Sequence, residues 1–191
     1  MIKRTLGAAL TAAVLAFAAP AAEAADYTID SGHSFVQFKI SHVGVSWMIG
    51  TFEKLSGSFT FDSEAGPEAQ SIAVEIDTAS VDTNHAERDK HLRSSDFLGV
   101  DEFPTATFVS TGYEGDDESG VMTGDLTLHG VTRSIDIAVT KVGEGKDPWG
   151  GYRAGFEGTV TIVRKDFGMG YNLGPAAETM ELLLFIEGVR K

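Results

Sequence analysis

The sequence predicts an all-β protein, an elongated eight-stranded antiparallel barrel with one short helix. Three observations lead there. Apolar and polar residues alternate with period two along most of the chain. The links between those runs are short and rich in Gly, Pro, Asp or Asn, so consecutive strands must run antiparallel. The run over residues 152–164 is long, roughly 40 Å at about 3.3 Å per residue, which suits a tall, tilted barrel better than a compact sandwich.

The strands follow in order. The first of the eight is a long run at 33–42, where Ser34, Val36, Phe38, Ile40 and His42 share one face and Gln37, Lys39 and Ser41 the other; ahead of the eight, 26–29 leaves room for a short additional strand. The next, 50–62, ends in the alternation Ser58-Phe59-Thr60-Phe61, and in 70–77 Ile72, Val74 and Ile76 oppose Ala73, Glu75 and Asp77. Ala106 and Phe108 mark 104–112, and Met122, Leu126 and Leu128 mark 120–128. In 133–141 Ile135, Ile137 and Val139 face away from Ser134, Asp136 and Ala138. Ala154, Phe156, Val160, Ile162 and Arg164 line one side of 151–164, and Leu182, Leu184 and Ile186 oppose Glu181 and Glu187 in 178–188. Turn chemistry fills 62–67, 114–120, 130–133, 143–150 and 170–175.

The exception is 81–103. Asn84 and Glu87 have capping-box spacing, and 85–93 is poor in β-formers, so one short helix is expected there. With so little apolar surface it is marginal alone and must be held to the barrel by Leu92, Phe97 and Phe103.

Residues 1–24 read as a secretory signal peptide. Lys3 and Arg4 form a basic start, 6–19 an apolar core, and Ala22-Glu23-Ala24 an A-x-A cleavage site. Residues 25–191 are then one domain, exported to a bacterial periplasm, with no cysteine for a lipid anchor or a disulfide. Cleavage removes two cations and one anion, taking the formal charge from −13 to −14. That argues against nucleic acid and against electrostatic docking on anionic lipid. No stable membrane insertion is expected, and a homodimer is left open.

Motifs for chemistry are sparse. His33, His42, His85, His91 and His129 lack paired ligand spacing and there is no cysteine, so no metal site is expected. No nucleophile elbow or phosphate loop occurs, and Glu114, Asp116, Asp117 and Glu118 read as a solvated hairpin tip. The inward rows contribute Phe38, Ile40, Phe59, Phe61, Val74, Ile76, Phe108, Leu126, Leu128, Phe156, Ile162 and Leu184. Patterning alone leaves two outcomes open, a filled core and a hollow one.

Several motifs occur together and in order: Asp30-x-x-His33-Ser34-x-Val36-x-Phe38, Ser80-Val81-Asp82-Thr83, Arg88-Asp89-x-His91-Leu92-Arg93-Ser94-x-Asp96-Phe97, Phe103-Pro104-x-Ala106-x-Phe108, Gly124-Asp125-Leu126-Thr127-x-x-Gly130-Val131-Thr132 and Arg164-x-Asp166-Phe167-Gly168. In this the chain resembles the YceI-like polyisoprenoid-binding family. The resemblance implies a lipocalin-like barrel whose interior takes a long isoprenoid, a polyprenyl lipid or quinone-type tail, as ligand. It implies a binding protein with no cofactor and no catalytic residue.

For Arg88, Asp89, His91 and Asp96 three readings stand. Their charges can simply pair and cap. Arg88, Lys90 or Arg93 can meet an isoprenoid headgroup. Or Asp89 and His91 can serve an isoprenoid-modifying or hydrolytic enzyme. A filled-core stress-response or interaction module without ligand is the remaining alternative.

Overall fold

The computed structural model describes residues 24–64 and 66–191, so the expected leader lies, but for Ala24, outside the described residues. The strands are β1 (Ala25–Ile29), β2 (Phe35–His42), β3 (Ser46–Phe52), β4 (Leu55–Phe61), β5 (Ser71–Asp77), β6 (Val81–Asp82), β7 (Thr105–Gly115), β8 (Ser119–Leu128), β9 (Val131–Lys146), β10 (Tyr152–Val163) and β11 (Thr179–Arg190). The one α-helix among the described residues is α1 (Ala86–Arg93).

Pairing runs β1–β4–β5–β7–β8–β9–β10–β11, and β11 pairs back onto β1, closing an eight-strand antiparallel barrel. The wall is taller than that ring. β2 pairs with Met180–Phe185 of β11, while β1 takes residues 188–190, so β1 and β2 are successive halves of one bent stave. β3 and β4 likewise share the next stave, with β2 on β3, β1 on β4, and β6 extending the wall beyond β3. Seven of the eight expected strands are present as single strands, but the expected 50–62 is two, β3 and β4, parted at Glu53 and Lys54, with β3 pairing on β2 and β4 on β1. The remaining corrections are to bounds. β3 begins at Ser46 rather than residue 50, β7 and β9 run further than expected, and β6 is additional.

Rings flatten against the wall where a neighbour lacks a side chain. A Cβ on Gly50 would lie 2.3 Å from the Phe38 ring across the β2–β3 ladder, and one on Gly124 equally close to Phe108. These close approaches let bulky aromatics sit inside a narrow barrel. Toward the β1 end, Tyr27 stacks on Phe59 with centroids 4.8 Å apart.

The capping-box expectation at Asn84 is corrected. Asn84 takes a left-handed backbone (φ 61), and His85 is the N-cap, its Nδ1 accepting from the Arg88 N–H at 3.2 Å. An Asx turn explains the shift, because Asp82 Oδ1 accepts the Asn84 N–H at 2.6 Å and turns the chain one residue later. After α1, Phe97 and Leu98 are buried, and the Phe103 ring meets His129 at 4.7 Å.

A second left-handed residue costs more. The β2–β3 link is three residues, 43–45, built on a β-turn in which the Val45 N–H donates to the His42 C=O at 3.0 Å, with Val43 at φ 48 and Gly44 at φ 77. Asn, Asp or Gly normally occupies the first position. A β-branched residue there is strained by about 1–2 kcal/mol.

Candidate functional site

The barrel interior holds two cavities that meet. The upper one, about 410 Å³, lies under α1 and the β2–β3 turn. The lower one, about 130 Å³, lies between β4, β5, β8, β9 and β10. Val36, Ile76, Leu126 and Leu182 line both and form a waist between them. Period-two strands put one side chain in two inside, and on β11 the inward residues Met180, Leu182, Leu184 and Ile186 alone span roughly 20 Å.

Of the expected inward set, Phe59, Phe61, Val74, Phe108, Phe156 and Leu184 line the lower cavity. Phe38, Ile40 and Leu128 line the upper one, and Ile76 and Leu126 belong to the waist. Ile162 is the exception. It is 3 % exposed and packs in the core without bordering either cavity.

The charged segment is divided. Arg88 borders the upper cavity, its Nε donating to Thr83 Oγ1 at 2.7 Å and its Nη2 to the Thr83 C=O at 2.6 Å. Lys90 is exposed and borders neither cavity. Arg93 is committed to the backbone, donating to the carbonyls of Ala79 (2.7 Å) and Val81 (2.5 Å). Asp89 is buried and accepts from the Thr83 N–H at 2.9 Å and from its hydroxyl. His91 reaches Asp96 through Nε2 at 3.0 Å, and its ring lies edge-on to Phe97 and Tyr171 at the mouth of the upper cavity.

Two cations missed as site residues border the cavities. Arg164, 5 % exposed, lines the upper one and donates to the carbonyls of Ala177 (2.8 Å), Met169 (3.4 Å) and Tyr171 (3.2 Å). Burial lowers its pKa. Lys141 borders the lower cavity, with its Nζ 5.6 Å from the Phe61 ring centroid, 2.7 Å from Glu118 Oε1 and 3.5 Å from Asp117 Oδ2. The Glu118 hydrogen bond raises its pKa against a smaller opposing effect of burial. Both were detectable in principle, because each continues an inward apolar row, after Ile162 on β10 and after Val139 on β9.

Asp30, His33 and Glu187 offer ligand atoms within 4.8 Å of one another, an arrangement that could hold a metal ion. The Arg153 guanidinium already occupies that place, with Nη1 at 2.7 Å from Asp30 and 2.5 Å from Glu187. Arg153, and secondarily His33, hold the Asp30 carboxyl at about 2, against an ordinary 3.8.

Comparison with known proteins places this geometry. The chain matches the YceI-like domain over residues 27–187. It is 51% identical over 193 residues to the protein YceI of Escherichia coli, covering the whole of both chains. A crystal structure of the Campylobacter jejuni YCEI protein is similar at 33% identity, covering 80% of this chain and 91% of that one with a TM-score of 0.71. A polyisoprenoid binding domain from Saccharophagus degradans shares the fold, at 19% identity, 86% and 98% coverage and a TM-score of 0.67.

Proposed function

The chain belongs to the YceI-like family, and on that footing we propose that it is an exported, non-enzymatic carrier that holds a long isoprenoid inside its barrel. The observation that carries this reading is the pair of apolar cavities sharing one waist, lined mainly by aliphatic and aromatic side chains. The shared fold with a domain described as binding polyisoprenoid supports it. The location rests on the leader-like residues 1–24, which point to the periplasm.

The energetics suit a chain. At about 0.8 kcal/mol per buried CH₂, one five-carbon unit gains roughly 3–4 kcal/mol before ordering costs. Several units bind tightly with no polar contact. A polar or phosphate headgroup is left at the mouth, where Arg88 is the cation of the three expected that borders the cavity. A catalytic role for Asp89 is disfavoured, because its carboxylate is spent on Thr83 and secures the approach to α1.

The test is titration with isoprenoid alcohols of increasing length, read by displacement of an apolar fluorescent dye. Affinity should rise by about tenfold or more per added unit until the cavities are full. Affinity that does not depend on length, or no displacement at all, contradicts the reading.

A further inference from the structure

The β2–β3 turn and the loop after β10 form an uncharged, apolar rim around the mouth of the upper cavity. Residues 40–52 contain no Asp, Glu, Lys or Arg, and neither do residues 167–177, in a chain that is 23% charged. The two segments touch, since a Cβ on Gly44 would lie 3.8 Å from that of Ala176. On this rim Val43, Val45, Trp47 and Ile49 are all more than half exposed, and Tyr171 and Leu173 are exposed beside them. His42, Val43, Tyr171 and Leu173 also line the cavity, so the exposed rim and the apolar interior are one continuous surface.

Val43 is informative twice. Its side chain is 67% exposed, and its backbone holds the left-handed geometry that a β-branched residue disfavours. Neither folding nor solubility gains from valine at this place.

We propose that this rim docks transiently on an uncharged lipid surface, with Val43, Val45 and Trp47 entering the interface so that an isoprenoid chain passes between bilayer and barrel. The inference rests on the isoprenoid reading above. Trp is the side chain best suited to the membrane–water boundary. The turn itself carries no ion into lipid, and the nearest cation, Lys39, whose Nζ lies 4.7 Å from the Trp47 ring centroid, is paired with Glu181 at 2.8 Å. A second copy of the chain is a poorer occupant. The exposed apolar residues of the rim, Val43, Val45, Trp47, Ile49, Tyr171 and Leu173, fall well short of the roughly 20–30 residues a side that a stable interface uses. The net charge of −13 further predicts weaker docking on anionic lipid.

The chain carries its own control. Trp149, 80% exposed, sits on the β9–β10 link at the opposite end of the barrel. The experiment uses protein purified from its own host cells and vesicles of brominated phosphatidylcholine. In Trp149→Phe, the remaining Trp47 should shift to the blue and be quenched; in Trp47→Phe, the remaining Trp149 should do neither. Phosphatidylglycerol vesicles should quench Trp47 less. Val43→Asn relieves the turn, so it should fold at least as well as the parent while vesicle affinity falls, and Val43→Asp with Val45→Asp should lower it by about tenfold or more.

Absent quenching of Trp47, equal quenching at both ends, or a Trp47 shift that follows protein concentration with a doubled mass would each overturn the docking. The two readings fail separately. Protein that carries a prenyl lipid from its host yet ignores vesicles defeats the docking alone. Vesicle docking through Trp47 by protein that binds no isoprenoid defeats the cargo alone.

Discussion

The ring of Phe97 lies 5.0 Å from that of Tyr171, joining the segment after α1 to the loop after β10 beside the cavity mouth. The His91 ring stands edge-on to both, at 4.9 and 5.2 Å. Three aromatic rings thus form a latch between two segments that are far apart in sequence.

Truncating the latch should loosen the mouth. An aromatic pair of this kind contributes about 0.5–1.5 kcal/mol beyond its buried area. Tyr171→Ala should therefore speed dye or isoprenoid release about threefold to tenfold, while the melting temperature changes little. Stopped-flow displacement measures the rate; unchanged release would show that cargo does not pass there.

Arg164 should be a stability residue. Arg164→Leu leaves the carbonyls of Ala177, Met169 and Tyr171 without their donor beside an apolar cavity. Roughly 3 kcal/mol of unfolding free energy should be lost in urea titration. An unchanged denaturation midpoint would mean that water replaces the guanidinium at no cost.

The waist should set cargo length. Leu182→Trp enlarges one of the four residues that both cavities share. Affinity for long isoprenoid alcohols should fall toward that of short ones, and short ones should bind as before. Overpacking costs about 1–3 kcal/mol, so the urea midpoint is measured alongside. Equal loss for every length would contradict a two-cavity path.

Acid should test the Arg153 network. Asp30 is depressed from 3.8 to about 2, so the native state binds fewer protons than the unfolded chain across that interval. Its contribution is complete above about pH 4 and is lost as the pH falls toward 2. Arg153→Met should flatten this part of the stability–pH curve, as followed by urea unfolding at pH 2 to 6. A curve parallel to the parent's would show that Arg153 does not set the Asp30 titration.

Much of this was legible beforehand, because the period-two rows fix which side chains face inward before any pairing is known. Phe59, Phe61, Leu126 and Leu128 follow from parity alone. Cavity against filled core was not legible, since it depends on how Phe38 and Phe108 flatten over Gly50 and Gly124 on other strands. The expected N-cap at Asn84 yielded to an Asx turn from Asp82. Ile162 shows the limit of parity, being inward and yet packed away from both cavities. Arg164 and Lys141 stood on inward rows, but their carbonyl and carboxylate partners lie on other segments and become visible only once the barrel closes.

The most direct measurement is organic extraction of the protein purified from its own host, followed by mass spectrometry of the extract. A prenyl lipid at about one per chain is expected, lost when Leu126 and Leu184 are replaced by charged residues in a chain that still folds. Repeatedly empty extracts from folded, natively produced protein would contradict it.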